Sequence, residues 1–235
     1  MDFIANRRTN QIETNTQKGE QKVETGKIDY KKTDKPYYFP KTDPEIIVVP
    51  AFRFFVLEGE GDPNKEGFSM RVETLYALSY TLKMLPKSGY IPEGYREYTV
   101  FPLEGVWDLK PEAKSGPSDG FDLTNKDDYV YRIMIRQPDF LTPALAREIV
   151  ERAKRKKPDL PSEKAIFEIF EEGRCVQMMH MGPYDEESKS FSRMSDFCRA
   201  RELVRKERHH REIYLSDPRK TKPERMKTVL RWRIE

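Results

Sequence analysis

Two similar stretches, Val130-Tyr-Arg-Ile-Met-Ile135 and Val229-Leu-Arg-Trp-Arg-Ile234, decide the fold of this chain. Their branched, apolar and arginine positions fall in register at one constant offset. Alternation of this kind is typical of a β-strand with one buried face. Because similarity at a fixed offset indicates an internal repeat, we interpret each stretch as the last strand of a duplicated unit.

The same order of elements precedes both strands. In each half an aromatic or branched strand closes at a glycine, a helix with apolar residues at steps of three and four follows, and another extended stretch comes next. The predicted elements are strand 52–59, helix 68–85, extended stretch 98–109 and strand 129–136, then strand 174–181, helix 184–198, extended stretch 210–215 and strand 229–234. Each half therefore has the order strand-helix-strand-strand.

The sequence predicts an α+β fold. We expect a tandem strand-helix-strand-strand repeat with pseudo-two-fold symmetry and antiparallel sheets around a central ligand cleft, because clefts between domain halves are common ligand sites. The predicted boundaries are a first repeat at about 45–137, a linking helix at 142–157 and a second repeat at about 164–235. The polar segment 1–44 is predicted to be a flexible N-terminal arm.

Composition excludes several classes of protein. Of the 235 residues, 35% are charged and 37% hydrophobic, and the formal net charge is only +3. We find no apolar run near the roughly 20 residues that a membrane-spanning helix needs, and no secretory signal. The two cysteines are too few for a disulfide framework or a four-ligand metal site. We expect a soluble cytoplasmic protein with no metal, no cofactor, no membrane contact and no direct contact with nucleic acid.

The late strand carries a candidate chemical group. Its alternation places His210, Glu212 and Tyr214 on one face, while Ile213 and Leu215 are expected to face the helix. If the first face lines the cleft, the carboxylate could attract a cationic ligand or act as a general base. The alternative is an ordinary surface glutamate on an exposed strand face.

Other candidates lie at the ends of strands. Trp107 follows a glycine and could stack on a flat ligand, with a core tryptophan as the alternative. Tyr98 and Glu104 are predicted to share one strand face, so Tyr98 could contribute a hydroxyl group. His180, next to a methionine-rich segment, could orient a water molecule, although a lone histidine is more often structural.

Longer motifs resemble a known family. The stretch Glu172-Gly-Arg-Cys-Val-Gln-Met-Met-His-Met-Gly-Pro-Tyr-Asp-Glu-Glu187 is similar to the second half of the GyrI-like small-molecule-binding family, as is the segment 211–231. Tyr98-x-Val-x-Pro-Leu-Glu-Gly-Val-Trp107 resembles the stand-alone subgroup of that family. Some relatives sense drugs, one protects DNA gyrase, and some stand-alone members hydrolyse cyclopropanoid alkylating compounds.

The resemblance implies roles for particular residues. Glu212 would be the general base that activates water, a tyrosine hydroxyl (Tyr98) would assist at the ligand carbonyl, and Trp107 would stack on the ligand. Tyr184 and Tyr214 are further expected ligand contacts, together with Glu104 and His180.

Two functions are therefore open. One is a hydrolase of strained, aromatic, electrophilic genotoxins. The other is a non-catalytic module that binds aromatic, possibly cationic, compounds to sense or sequester them, or that modulates a protein partner such as DNA gyrase.

Overall fold

The computed structural model describes residues 26–113 and 125–235. Its six strands form one closed antiparallel barrel. They are β1 (Glu45–Glu60), β2 (Leu103–Leu109), β3 (Tyr129–Gln137), β4 (Ile166–Met181), β5 (His210–Tyr214) and β6 (Lys227–Arg233). The helices are α1 (Tyr30–Thr33), α2 (Lys35–Tyr38), α3 (Glu66–Lys83), α4 (Pro143–Lys156) and α5 (Glu187–Arg199).

Local sequence explains the helix boundaries. The hydroxyl group of Thr142 accepts a hydrogen bond from the backbone N–H of Leu145, and Pro143 occupies the first helical position, where no N–H is needed. Helix α4 lies where the sequence predicts the linking helix. In the described ranges, we find no helix with the length and apolar character required to cross a membrane.

The α+β prediction is confirmed, but the predicted separate sheets are replaced by one barrel. Around the barrel the strand order is β1-β3-β2-β5-β6-β4, so β2 pairs with β5 and β1 pairs with β4. These two seams join the halves of the chain on both sides. Each half has the order strand-helix-strand-strand, and a pseudo-two-fold relation between the halves stays a prediction.

Buried charges occupy the inside of the barrel. Arg211 on β5 is 3% exposed, and its guanidinium group lies 2.6 Å from a Glu104 carboxylate oxygen and 2.9 Å from one of Glu172. Arg231 on β6 lies 2.8 Å from Glu172 and donates to the side-chain oxygen of Gln177. Because each buried charge has an opposite partner, the barrel can contain these side chains without leaving an isolated ion.

Residues before β1 cover one end of this barrel. The aromatic rings of Tyr30 and Tyr38 are buried, and Ile28 forms a β-bridge with Tyr98. The carboxylate of Asp34 forms an ion pair of 2.9 Å with the buried guanidinium group of Arg136.

The prediction of a flexible arm is therefore wrong for residues 26–44. Low apolar content disfavours independent folding, but this segment packs its tyrosines against a barrel that is already formed, and that contact supplies the missing burial. Residues 1–25, which the prediction also covers, lie outside the described residues.

Candidate functional site

A cleft of about 1290 Å³ lies outside the barrel between α3 and α5, with β2 and β5 contributing to its lining. Its lining is rich in aromatic side chains and contains several carboxyl groups. The aromatic and ionisable residues at its centre are Phe68 and Tyr76 from α3, Trp107 from β2, Tyr184 from the turn before α5, Glu187 and Phe191 from α5, and His210, Glu212 and Tyr214 from β5. The sequence predicts a central cleft between sheets, whereas this pocket lies outside a single barrel. It is concave and rich in aromatic side chains, as small-molecule sites often are.

A chain of hydrogen bonds leads to Glu212. The indole N–H of Trp107 donates to the hydroxyl oxygen of Tyr214 at 2.7 Å, and that hydroxyl donates to Oε2 of Glu212 at 2.8 Å. The other carboxylate oxygen, Oε1, lies 2.8 Å from Nε2 of His210. The Glu212 side chain is only 12% exposed, so the cleft holds a nearly buried and tightly oriented carboxylate.

Strand alternation explains the orientation of Glu212. On β5, Arg211 points into the barrel, so His210, Glu212 and Tyr214 point outward to the cleft, as predicted. The expectation that the opposite face meets the helix is wrong. The ring centroids of Phe191 on α5 and His210 lie 4.6 Å apart, so this helix covers the face that carries Glu212.

A glycine on the neighbouring strand makes room for this arrangement. Gly105 pairs directly with Glu212 across the β2–β5 seam. A Cβ atom at Gly105 would lie 2.6 Å from Nε1 of Trp107 and 3.2 Å from the Tyr214 hydroxyl. Position 105 therefore needs a residue without a side chain if the Trp107–Tyr214 hydrogen bond is to form.

Glu187 is a site residue that sequence reasoning missed. It is the first residue of α5, is 4% exposed and lines the cleft together with Glu212. Burial and then the neighbouring Glu212 charge raise the pKa of Glu187 well above its ordinary value. The sequence signal, an acidic first helical turn, has an ordinary explanation in the helix dipole and does not show which strand that turn faces.

The aromatic candidates line the cleft but already contact one another. The ring of Phe68 stacks near Trp107 with centroids 5.8 Å apart, so one face of the indole that was expected to stack on a ligand is covered. The rings of Tyr184 and Tyr214 meet edge to face at 5.7 Å. Burial, reinforced by the charges of Glu187 and Glu212, raises the pKa of Tyr184 to about 12, so its hydroxyl keeps its proton at neutral pH.

The structure does not bring three of the predicted residues to the cleft. Tyr98 is buried, and its hydroxyl donates to the backbone oxygen of Ser79 at 3.3 Å. Glu104 points into the barrel, where it binds Arg211. The expectation that these two share a ligand-facing strand face is wrong, because β2 begins only at Leu103 and simple alternation does not extend back to Tyr98.

His180, the third of these residues, has a structural position. Its ring nitrogens lie 2.9 Å from the hydroxyl of Ser190 and 3.1 Å from the backbone oxygen of Pro183. Both nitrogens therefore have partners within the protein, and the histidine ties β4 to the turn that carries Tyr184. His180 therefore holds in place the elements that line the cleft and does not line the cleft itself.

The chain is similar to proteins of known structure. A crystal structure of a hydrolase from Listeria innocua is 40% identical and superposes with a TM-score of 0.81, over 89% of this chain and 100% of that chain. An uncharacterized conserved protein from Listeria innocua is 42% identical with the same TM-score and the same coverage of both chains. No curated protein matches the chain. The family described as the GyrI-like small molecule binding domain matches residues 42–235, and this chain belongs to that family.

Proposed function

We propose that the cleft binds flat aromatic small molecules and hydrolyses strained electrophiles of the cyclopropanoid type, and so protects the cytoplasm against genotoxic compounds. The observation that supports this most is Glu212, an oriented carboxylate in a cleft with aromatic walls. The similarity to a Listeria innocua hydrolase supports the reaction class. The base role of Glu212 is what the family resemblance implies, and its position and hydrogen bonds in this chain support that role.

The proposed reaction adds one water molecule to the ligand. The water oxygen forms a bond to the methylene carbon of the three-membered ring, and a carbon–carbon bond of that ring breaks. Its electron pair moves through the conjugated system to the ligand's carbonyl oxygen. Glu212 takes the proton that the water loses, and the oxygen that gains charge is then protonated from solvent. Release of ring strain means that orientation and one general base suffice.

The remaining cleft residues bind and orient the ligand. Tyr214 fixes the carboxylate of Glu212, and Trp107 in turn fixes Tyr214. Tyr184 takes over the role first expected of Tyr98, because it lines the cleft and its hydroxyl keeps a proton with which it can hydrogen-bond to the ligand's carbonyl oxygen. Trp107 and its neighbour Phe68 form an aromatic wall for the ligand.

The second candidate function is binding without turnover. Two carboxyl groups, those of Glu187 and Glu212, lie among aromatic rings, and this composition also suits an aromatic cation. In that case the protein would sense or sequester such compounds, or modulate a partner such as DNA gyrase. Aromatic cations would then bind reversibly, and no hydrated product would form.

Turnover distinguishes the two functions. The protein would be incubated with a duocarmycin-type cyclopropane compound, and mass spectrometry would follow a product heavier by one water molecule. The hydrolase proposal predicts many equivalents of this product per protein. Saturable binding without product above the uncatalysed background would refute it and support the binding function.

A conservative substitution tests the assigned base. Glu212→Gln keeps the size of the side chain but removes the basic oxygen, so turnover should fall by roughly 10²- to 10⁴-fold, the usual contribution of general base catalysis. Glu224→Gln is the matched control, because Glu224 is exposed and does not line the cleft. A folded Glu212→Gln variant that turns over at the wild-type rate would show that Glu212 is not the base.

A further inference from the structure

Glu187 and Glu212 form a pair of carboxyl groups at the junction of α5 and β5. Both line the cleft, and the ring contacts on either side, Tyr184 with Tyr214 and Phe191 with His210, place Glu187 opposite Glu212. Exposure is 4% for Glu187 and 12% for the side chain of Glu212, so water screens neither group well. Two neighbouring carboxylates at such a site do not both ionise, and one proton stays with the pair.

The hydrogen-bond partners indicate which member keeps the proton. Glu212 receives a hydrogen bond from the Tyr214 hydroxyl on one oxygen, which stabilises a negative charge, and its other oxygen lies 2.8 Å from His210 Nε2. Glu187 Oε1 is buried and accepts no hydrogen bond from the described residues. A bare carboxylate oxygen in that position would be costly, whereas a neutral carboxyl group there can donate to Glu212.

We propose that Glu187 is a positioning residue that donates its carboxyl hydrogen to Glu212, so that the pair holds one proton and one negative charge, with the charge on Glu212. This inference rests on the proposed role of Glu212 as the base. The raised pKa of Glu187, caused by burial and by the Glu212 charge, agrees with it.

The shared proton also suits the site to a particular class of substrate. Ring opening places negative charge on the ligand, and a doubly charged carboxyl pair would repel it. A pair with a single charge retains the base without adding that repulsion. When Glu212 accepts the proton from water, both members become neutral, and one proton then leaves to solvent. The site therefore favours neutral electrophiles that become anionic.

Other ionisable groups surround the pair. His210 and Tyr214 flank Glu212 on β5, and Tyr184 and Asp185 precede Glu187 in the turn before α5. The facing α3 contributes Glu73 and Tyr76, and the loop after β5 contributes Asp217 and Arg219. A pH measurement on the pair therefore needs variants of the pair itself, so that its titration is separated from that of these neighbours.

Infrared spectroscopy tests the proton assignment without any substrate. At neutral pH the wild-type protein should show the carbonyl stretch of a protonated carboxyl group, and Glu187→Gln should remove that band. Glu212→Gln should keep it, and Glu224→Gln, an exposed control, should leave it unchanged. Absence of a Glu187-dependent band would overturn the inference even if the protein is an active hydrolase. Its presence in a protein without turnover would support the shared proton and refute only the proposed function.

The pH profile of turnover tests the effect on Glu212. Wild-type activity should decline at high pH as Glu187 ionises, and Glu187→Gln, which keeps a donor but cannot ionise, should lose that decline. Glu187→Ala, which removes the donor, should lower turnover across the profile, and Gln should recover most of the loss. An alkaline decline that is the same in wild type and Glu187→Gln would overturn the inference. If Glu187→Ala does not fold, the comparison with Gln decides.

Discussion

Replacing Arg211 with methionine should strongly destabilise the protein. This substitution keeps an unbranched side chain inside the barrel but removes the guanidinium group that lies 2.6 Å from Glu104 and 2.9 Å from Glu172. Removing one partner of a buried ion pair typically lowers the free energy of unfolding by about 3–5 kcal/mol, because a buried charge is left uncompensated. Since whole domains are stable by about 5–15 kcal/mol, Arg211→Met should lose a large part of the total.

Urea unfolding followed by tryptophan fluorescence measures this loss, with linear extrapolation to water. Arg199→Met is the matched control, because Arg199 forms an exposed ion pair with Asp196, which should contribute about 0–1 kcal/mol. A difference within about 1 kcal/mol between Arg211→Met and wild type would refute the assigned role of the barrel charges.

Acid should reduce the effect of Arg211→Met. Burial alone would raise the pKa of Glu172, but the charges of Arg211 and Arg231 outweigh burial and hold that pKa below its ordinary value. In the wild type this contribution is present above the ordinary glutamate pKa and is lost as the pH falls through the folded-state pKa. The variant lacks one of the two guanidinium groups, so its stability should decline less steeply over the same acidic range.

Two further predictions concern the cleft. Gly105→Ala should push apart Trp107 and Tyr214, because the new methyl group would lie 2.6 Å from the indole nitrogen and 3.2 Å from the tyrosine hydroxyl. Turnover should fall by at least about tenfold, whereas the control Gly26→Ala, with no atom within 4 Å of its Cβ, should leave turnover unchanged. Unchanged turnover in Gly105→Ala would contradict the assigned hydrogen-bond chain. Because the pKa of Glu187 is raised, its contribution to stability is present below the ordinary glutamate pKa and is lost as the pH rises through the folded-state pKa, by up to about 1.4 kcal/mol per pH unit. Urea unfolding at a series of pH values should therefore show a flatter profile for Glu187→Gln, and an unchanged slope would contradict the raised pKa.

Periodicity predicted most of the secondary structure because the core imposes it. The apolar steps of three and four in α3 and the alternation in β3 both follow from one buried face, and both elements are confirmed. The strand β4 is longer than predicted and begins at Ile166, because the acidic stretch before Gly173 gives no clear apolar period. Its pairing with β1, not its composition, makes that stretch extended.

The position of a site residue could be predicted only where it depends on the alternation of a single strand. The outward direction of Glu212 follows from alternation along β5, and the cleft follows from the arrangement of the two halves. The partnership with Glu187 depends on how α5 docks over β5, which no local pattern encodes. The prediction that Glu104 contacts a ligand failed for a similar reason. Only the closure of the barrel shows that the strand face carrying Glu104 is the inner one.

Adjacent residues of β5 separate stability from chemistry, two requirements that often conflict in proteins. Arg211 keeps the barrel closed on the inner face, and Glu212 supplies chemistry on the outer face, although one peptide bond joins them. Outer-face substitutions that alter ligand preference therefore leave the inner ion pairs in place. A scaffold divided in this way can change the residues that contact a ligand without breaking the ion pairs inside its barrel.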